Sequence, residues 1–449
     1  MRILLVANGY PPISNGGVET YTYQLANSLV SRGHEVHVFC RTSDFEQADY
    51  STLSEKVNGV SVTRVVNDAK EILEFRQTYQ NQQIEDLFGR VLTRLSPEVV
   101  HFNHLIGLSF RLPLLCASKR LGAIITLHDF WPFCARTNLV DWMGRQCGGP
   151  DQGGDCFLCL SGGQPKWQSQ FLRQVKRSLP FRLRQSLRRN LLLQGSKLNL
   201  IKRKPEDFPT RQRLLREAVL SVQTILAPSK FVRDQYTANG YPAERIRVLP
   251  LGVEMPTTLA LSRPGQPDGG MIFGFVGNLT PPKGLDILLQ AFRRLESASA
   301  RLLIYGEKRL APPDYQRRLM EIAQGDPRIR FMGAFSQEQR SEVYQGLDVL
   351  VLPSRVPETF SLVAREALVH HRPVIASEIG ALPELIRSGV NGFFFTPGDE
   401  ISLLERLNEV IHQPEILRQM QFDDPVNLPG VDQHVGIMEE IYRQAIASS

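Results

Sequence analysis

Short apolar runs rich in β-branched residues alternate with segments of helical spacing along most of the chain, and the alternation occurs twice. In the first half, residues 2–7, 35–39, 60–66, 99–102, 123–127, 224–227 and 245–249 read as strands, with helices over 17–31 and 69–95 and another starting at Ser229. The second series restarts at 272–276 and includes a strand over 348–354, a helix over 361–370 and a strand over 373–376. Strands that are apolar on both sides belong to parallel sheets covered by helices. The expected class is therefore α/β, with two doubly wound halves. A chain of 449 residues fits two domains at the usual 100 to 200 residues each. Residues 256–270, rich in Pro, Gly, Ser and Thr, read as the linker between them.

Open parallel sheets bind ligands at the carboxyl ends of their strands, where the following helix presents free amides and the positive end of its dipole. Two carboxylates fall in such a place. Glu358 lies in the loop after the 348–354 strand, and Glu366 about two turns into the next helix, with seven residues between them. Lys283 follows the 272–276 strand after a turn stiffened by Pro281 and Pro282, where an ammonium can neutralise a diphosphate. In the first half, Gly16 and Gly17 precede a helix, so backbone amides can approach a phosphate with no side chain in the way. They are not the spaced glycines of a dinucleotide fingerprint, which argues against a nicotinamide-dependent dehydrogenase. His104 and His128 each end a strand at the same edge.

Glu358 and Glu366 stand within Pro-Glu-Thr-Phe-Ser-Leu-Val and are followed by Arg372-Pro373-Val374-Ile375-Ala376-Ser377 and Gly380. That pattern resembles the signature of family 4 retaining glycosyltransferases of the GT-B fold. The opening Pro11-Pro12, Gly16-Gly17-Val18-Glu19-Thr20 and Arg32-Gly33-His34-Glu35-Val36 is similar to that family's in order, as are Val276-Gly277 and Lys283-Gly284. The resemblance covers most of the chain and is weakest over 131–220. It implies two Rossmann-like domains facing across a cleft: an acceptor-side domain at 1–255 with an insertion at 131–220, and a nucleotide-sugar domain at 271–430. It also implies a C-terminal helix at 431–449 returning to the first domain.

The resemblance further implies that Glu358 faces the transferred sugar, Glu366 the ribose and His128 the sugar. Donor contacts are implied for Gly16, Gly17, Asn278, Lys283, Phe360, Ser361 and Leu362. Retention would come from front-face attack with the leaving phosphate taking the acceptor's proton, not from a covalent glutamate. The chain departs from the family at Asn278, where arginine is common, and at Ser361, where glycine is common. The first change removes a cation from the diphosphate site. The second puts a hydroxyl where it is expected to cap the helix or reach a phosphate oxygen.

Cys134, Cys147, Cys156 and Cys159 gather in a glycine-rich stretch, the last two in Cys-x-x-Cys spacing. Four such thiols can close a structural zinc site, while an iron–sulfur cluster, disulfides and free thiols stay open as readings. No Asp-x-Asp motif calls for a donor-bound metal. Over 165–216, basic residues outnumber acidic ones by more than the chain's formal net charge of +6. Interleaved with Phe, Leu and Val, this segment suits either a solvated helical face or docking to an anionic membrane surface. No nucleic-acid module accompanies it. Met1-Arg2-Ile3-Leu4-Leu5-Val6-Ala7 is too short for a signal peptide's apolar region, and no run approaches a membrane span, so the expected location is cytoplasmic, with peripheral attachment at the inner face of the membrane open.

The expected activity is transfer of a hexose from a nucleoside-diphosphate sugar to a hydroxyl of a glycan, lipid-linked saccharide or other acceptor in polysaccharide or glycoconjugate synthesis. A nucleotide-sugar 2-epimerase of the same architecture and a non-catalytic nucleotide-sugar-binding scaffold are the alternatives.

Overall fold

The computed structural model describes residues 1–70, 72, 74–161, 203–256, 270–307, 311–422 and 428–449. Residues 257–269 of the expected linker and 165–202 of the basic segment lie outside these. The described residues form two compact units: one comprises 1–161, 203–252 and 429–449, the other Val253 to Leu428.

The first unit is built on eight strands: β1 (Arg2–Ala7), β2 (Glu35–Thr42), β3 (Thr52–Val57), β4 (Val60–Val66), β5 (Val99–Phe102), β6 (Gly122–Thr126), β7 (Thr224–Ala227) and β8 (Ile246–Val248). Their order in the sheet is β3-β4-β2-β1-β5-β6-β7-β8. All neighbours run parallel except β3, which turns back on β4 through Asn58 and Gly59, both at positive φ. Because β1 has β2 on one side and β5 on the other, successive crossovers leave in opposite directions there. That reversal opens a crevice beyond the carboxyl ends of β1 and β5.

The second unit has β9 (Ile272–Val276), β10 (Arg301–Tyr305), β11 (Ile329–Gly333), β12 (Val349–Leu352), β13 (Val374–Ser377) and β14 (Gly392–Phe395), all parallel, in the order β11-β10-β9-β12-β13-β14. Counted within the unit, this is 3-2-1-4-5-6, with the reversal between β9 and β12. Successive residues of a strand point to opposite faces, and here both faces are buried. Phe273, Phe275, Val349, Val351 and Ile375 belong to one apolar core. Their neighbours Ile272, Val276, Leu350, Leu352 and Val374 belong to another on the opposite side. Burial on both faces explains why these strands read as unbroken apolar runs.

The helix Val431–Ala447 closes the first unit on the side of the sheet away from Phe102 and Ile125. Tyr442 and His101 Nδ1 hydrogen-bond at 2.8 Å, and Tyr21 and His434 Nε2 at 2.9 Å. A Cβ on Gly122 would stand 3.0 Å from the carbonyl of Ala445, so strand and helix backbones touch where no side chain intervenes.

The sequence reading needs correction in two places. The helix expected over 69–95 is a short 3-10 turn, Phe75–Thr78, followed by a helix only at Gln82–Leu95, which starts where the Asn81 side chain accepts the Ile84 amide. The expected apolar pattern also passed over β3, whose side chains are almost all exposed. Its signal is the Asn-Gly pair, which favours the left-handed backbone of a tight hairpin.

Candidate active site

In the second unit, two loops leave the sheet at its reversal point: residues 277–283 after β9 and 353–361 after β12. The Lys283 ammonium donates to Glu358 Oε1 at 2.7 Å, and the Ser354 hydroxyl donates to the same oxygen at 2.5 Å. Burial alone would raise the Glu358 pKa, but Lys283 and then the hydrogen bonds hold it below the usual carboxylate range. Glu358 is thus an ionised, oriented carboxylate.

The backbone of Glu358 is fixed from below. Gly380, at φ +65°, leaves no room for a side chain, because a Cβ would stand 2.4 Å from both the nitrogen and the oxygen of Glu358. The Ala381 amide then donates to the Glu358 carbonyl at 2.7 Å. Gly284, at φ +67°, is constrained likewise, since a Cβ would fall 1.9 Å from the Pro353 carbonyl. Gly284 lets the β9 and β12 loops approach, and Gly380 lets the turn after β13 pack against the β12 loop.

A second buried network ties the loops together behind Lys283. Asp286 is fully buried and accepts two hydrogen bonds from the Arg355 guanidinium at 2.8 and 2.9 Å. The Tyr315 hydroxyl donates to it at 2.9 Å, and Arg318 lies 3.2 Å away. The Arg355 amide donates to the Pro282 carbonyl at 2.8 Å. Arg355 therefore belongs to the β12 loop but holds the β9 loop in place.

Glu366 faces different company. Tyr344 donates to its Oε2 at 2.7 Å and Arg340 lies 3.2 Å from Oε1. Arg340 also binds Glu254, which divides its charge between two carboxylates. Burial dominates and raises the Glu366 pKa despite Arg340 and Tyr344. Both oxygens already have partners, and each keeps a lone pair for a further donor.

The helix Leu362–Val369 begins at Ser361, which is left-handed (φ 56°, ψ 78°) and makes no side-chain cap. The expected capping by the Ser361 hydroxyl is therefore not found: in this conformation the side chain does not reach the first-turn amides. The first-turn amides therefore have no side-chain cap from Ser361. Phe360 is buried beneath the Arg365 guanidinium, 3.8 Å from its ring centre, and its carbonyl accepts from Arg365. Asn278 is half-buried and shapes its own turn, its carbonyl accepting the Thr280 amide at 2.8 Å.

In the first unit, polar residues collect at the carboxyl ends of β1, β5 and β6. His104 Nδ1 accepts the Ile106 amide at 3.1 Å, so the proton sits on Nε2 and faces Asp129 at 2.8 Å. Burial would lower the His104 pKa, but Asp129 prevails and raises it. His128, packed against Tyr21 at a ring separation of 5.1 Å, is pushed down to about 3 by burial and by the neighbouring His104 and His101. Its Nε2 is buried with no protein partner, as are both amide atoms of Asn103 and Oδ1 of Asn8. These orphaned atoms are the kind a hydroxylated ligand satisfies. Gly16 serves packing, because a Cβ there would stand 2.5 Å from the Glu19 carboxylate, while Gly17 faces open space. Glu19 is itself held by Asn8 and Ser14.

Residues 15–191 match the model described as Glycosyltransferase Family 4, and residues 270–413 the one described as Glycosyl transferases group 1. The chain belongs to glycosyltransferase family 4. Across 92% of this family 4 chain and 89% of the relative, it is 26% identical to an uncharacterised glycosyltransferase of Methanocaldococcus jannaschii. It is 24% identical to a lipopolysaccharide 1,2-N-acetylglucosaminetransferase of Salmonella typhimurium, over 42% of this chain and about half (54%) of that enzyme. Among solved structures, Anabaena HepE in complex with UDP and glucose superposes with a TM-score of 0.63 at 16% identity, covering 99% of this chain and 100% of that one. The fold is GT-B.

Of the residues that sequence reading proposes for this family 4 glycosyltransferase, the structure brings Lys283 and Glu358 into contact and sets Phe360, Ser361 and Leu362 directly after them. Glu366 lies on the helix that follows. Gly16, Gly17 and His128 belong to the first unit. Sequence reading missed Asp286, Arg355, Arg340, Tyr344 and Asn103. Asp286 follows Lys283 by three residues and carried the one local signal, an acidic residue in the first turn of a helix. The others become visible only through tertiary register. Among the described residues, no three His, Cys, Asp or Glu side chains stand at metal-ligating spacing. No described helix is long and apolar enough to cross a membrane.

Proposed function

We propose that the protein is a retaining hexosyltransferase that takes its sugar from a nucleoside diphosphate and delivers it to a hydroxyl acceptor. The observation that carries this reading is the Lys283–Glu358 pair at the reversal point of the second sheet, just before the helix Leu362–Val369, whose first-turn amides Ser361 leaves without a side-chain cap. A diphosphate placed there meets an ammonium and a helix N-terminus together. HepE, of the same fold, is described with UDP and glucose, which supports a nucleotide sugar as the donor class.

Glu358 is ionised and cannot protonate a leaving group, so it orients the sugar by accepting from its hydroxyls. Lys283 and the helix amides stabilise the charge that grows on the diphosphate as the bond from anomeric carbon to phosphate oxygen breaks. The acceptor oxygen attacks from the same face, and its proton passes to the departing phosphate. Glu366, kept by burial in a less acidic state, suits hydrogen bonding to a ribose more than charge chemistry. The unpartnered His128 Nε2 of the first unit is available to a sugar hydroxyl.

Incubation with UDP-, GDP- and ADP-hexoses tests the proposal by following release of nucleoside diphosphate. Glu358→Gln should lower turnover by about 10²- to 10³-fold, the scale of losing one preorganised electrostatic contact. It should leave nucleotide binding within a few-fold of wild type. Tight nucleotide binding without turnover on any donor and acceptor would instead identify a binding subunit.

A further inference from the structure

The hairpin strand β3 has almost no buried side chain, yet one of its residues reaches into the first unit. Glu55 stands opposite Val62 across the hairpin, so Arg64, two residues further along β4, projects on the same face as Glu55. Arg64 is 1% exposed, and its Nε donates to Glu55 Oε1 at 2.5 Å. Among the described residues, Glu55 is the one carboxylate in an ion pair with Arg64. A guanidinium buried without a counter-charge is costly, and Glu55 supplies that charge from the solvent side.

The rest of the Arg64 fork binds backbone. One terminal nitrogen, Nη1, donates to the Tyr10 carbonyl at 2.8 Å, and the other, Nη2, to the Pro11 carbonyl at 3.0 Å. One rigid planar group thus holds two consecutive carbonyls, which an ammonium on a flexible stem cannot do. Both carbonyls belong to the loop that leaves the carboxyl end of β1 and runs to the helix Gly17–Ser31. Within the loop, the Ser14 amide adds only a long bond to the Tyr10 carbonyl, at 3.4 Å.

That loop carries polar groups of the crevice beyond β1 and β5. Asn8 donates to Glu19 Oε1 at 3.1 Å, while its own Oδ1 is buried without a protein partner. Ser14 donates to the same Glu19 oxygen at 3.0 Å. Gly16 precedes the helix whose Tyr21 packs on His128. Tyr10 is fully buried beside Tyr23, so the loop is anchored by one side chain and, through its backbone, by Arg64.

We propose that Arg64 is a positioning residue for sugar transfer: with Glu55 as its counter-charge, it clamps the loop after β1 and so fixes Asn8 and the helix start at Gly16. Arg64 touches no reacting atom. Its part in transfer rests on the activity proposed above, whereas the clamp itself does not.

Full-length Glu55→Gln, Glu55→Asp and Arg64→Lys test this by amide hydrogen exchange, by binding of UDP, GDP and ADP, and by donor turnover. Glu55→Gln leaves Arg64 buried without its counter-charge, so peptides spanning residues 8–17 should exchange about tenfold faster while those of β1 and β5 keep their protection. In the same variant kcat should fall about 10- to 100-fold, the scale of a group misplaced from a distance, with nucleotide affinity and donor KM unchanged. Arg64→Lys should do the same, and Glu55→Asp, which keeps the charge on a shorter arm, should recover part of the turnover. Should Arg64→Lys fail to fold, the two Glu55 variants still decide the matter, since that side chain is 42% exposed. Unchanged exchange over residues 8–17 in Glu55→Gln would overturn the clamp. Faster exchange there with an unaltered kcat would overturn its part in transfer. A wild type that turns over no donor would instead sink the proposed activity and leave the exchange to decide the clamp.

Discussion

At the scale of single residues, the donor-side site is a set of constraints on two carboxylates with different surroundings. Glu358 has a cation and a hydroxyl and stays ionised, while burial raises the pKa of Glu366. Ser361 stands between them in a backbone region that costs a non-glycine residue about 1 to 2 kcal/mol. Its side chain makes no capping bond in return. Ser361→Gly should therefore raise stability by up to about 1 kcal/mol, since glycine's greater freedom in the unfolded chain cancels part of the relief. Denaturant unfolding of the two proteins measures it, and a clear loss of stability would show that the hydroxyl holds something essential. Glu358 and Lys283 were legible in the sequence because each lies in the loop that follows a recognisable strand, and Glu366 because it sits in the helix that completes the same strand–loop–helix unit. Arg340 and Tyr344 were not, because they reach Glu366 from an element more than twenty residues upstream whose register only the fold determines.

At the scale of elements, strands buried on both faces announced themselves as apolar runs, and glycines marked where loops had to touch. The exposed hairpin strand β3 and the broken helix before Asn81 did not, since their side chains face water and their pattern is polar. The tie between the two donor-side loops was equally hidden. Asp286 and Arg355 are 69 residues apart, and nothing in either neighbourhood names the other. Their pairing makes the β9 and β12 loops one mechanical unit, so Arg355→Ala should loosen Lys283 without touching it. Arg318 and Tyr315 still serve Asp286, and Arg355 is partly exposed, so the stability cost should stay near 1 to 2 kcal/mol. Donor KM should rise several-fold more than kcat falls. Arg355→Lys should restore KM only in part, because an ammonium cannot make the two parallel bonds. An unchanged KM in Arg355→Ala would remove Arg355 from the positioning of the site.

At the scale of the whole molecule, the helix Val431–Ala447 joins the first unit through histidine–tyrosine hydrogen bonds rather than apolar contact alone, and this gives that unit a characteristic response to acid. His101 and His128 are each pushed down to about 3, and His37 and His434 to about 4, mainly by burial. Their folded pKa values lie below the unfolded value of 6.5, so their contribution to stability is fully present above 6.5 and is lost as pH falls toward 4 and then 3. His104 moves the other way, but over this window it carries its proton in both states and adds no slope. Between about pH 6 and pH 5, each of these four histidines takes up a proton only on unfolding. At about 1.4 kcal/mol per pH unit for each, the first unit should lose on the order of 5 kcal/mol per unit. Against the effect of burial, Lys283 holds Glu358 below the usual carboxylate range, so donor binding between pH 7 and pH 5 should survive until the first unit opens. Denaturant unfolding at pH 7, 6 and 5, followed by tryptophan fluorescence, measures the slope. His434→Gln should reduce it by about a quarter while keeping a polar partner for Tyr21. A flat stability profile over that interval would mean that these histidines are already charged in the folded protein, and that the polar seam beneath the C-terminal helix is solvated.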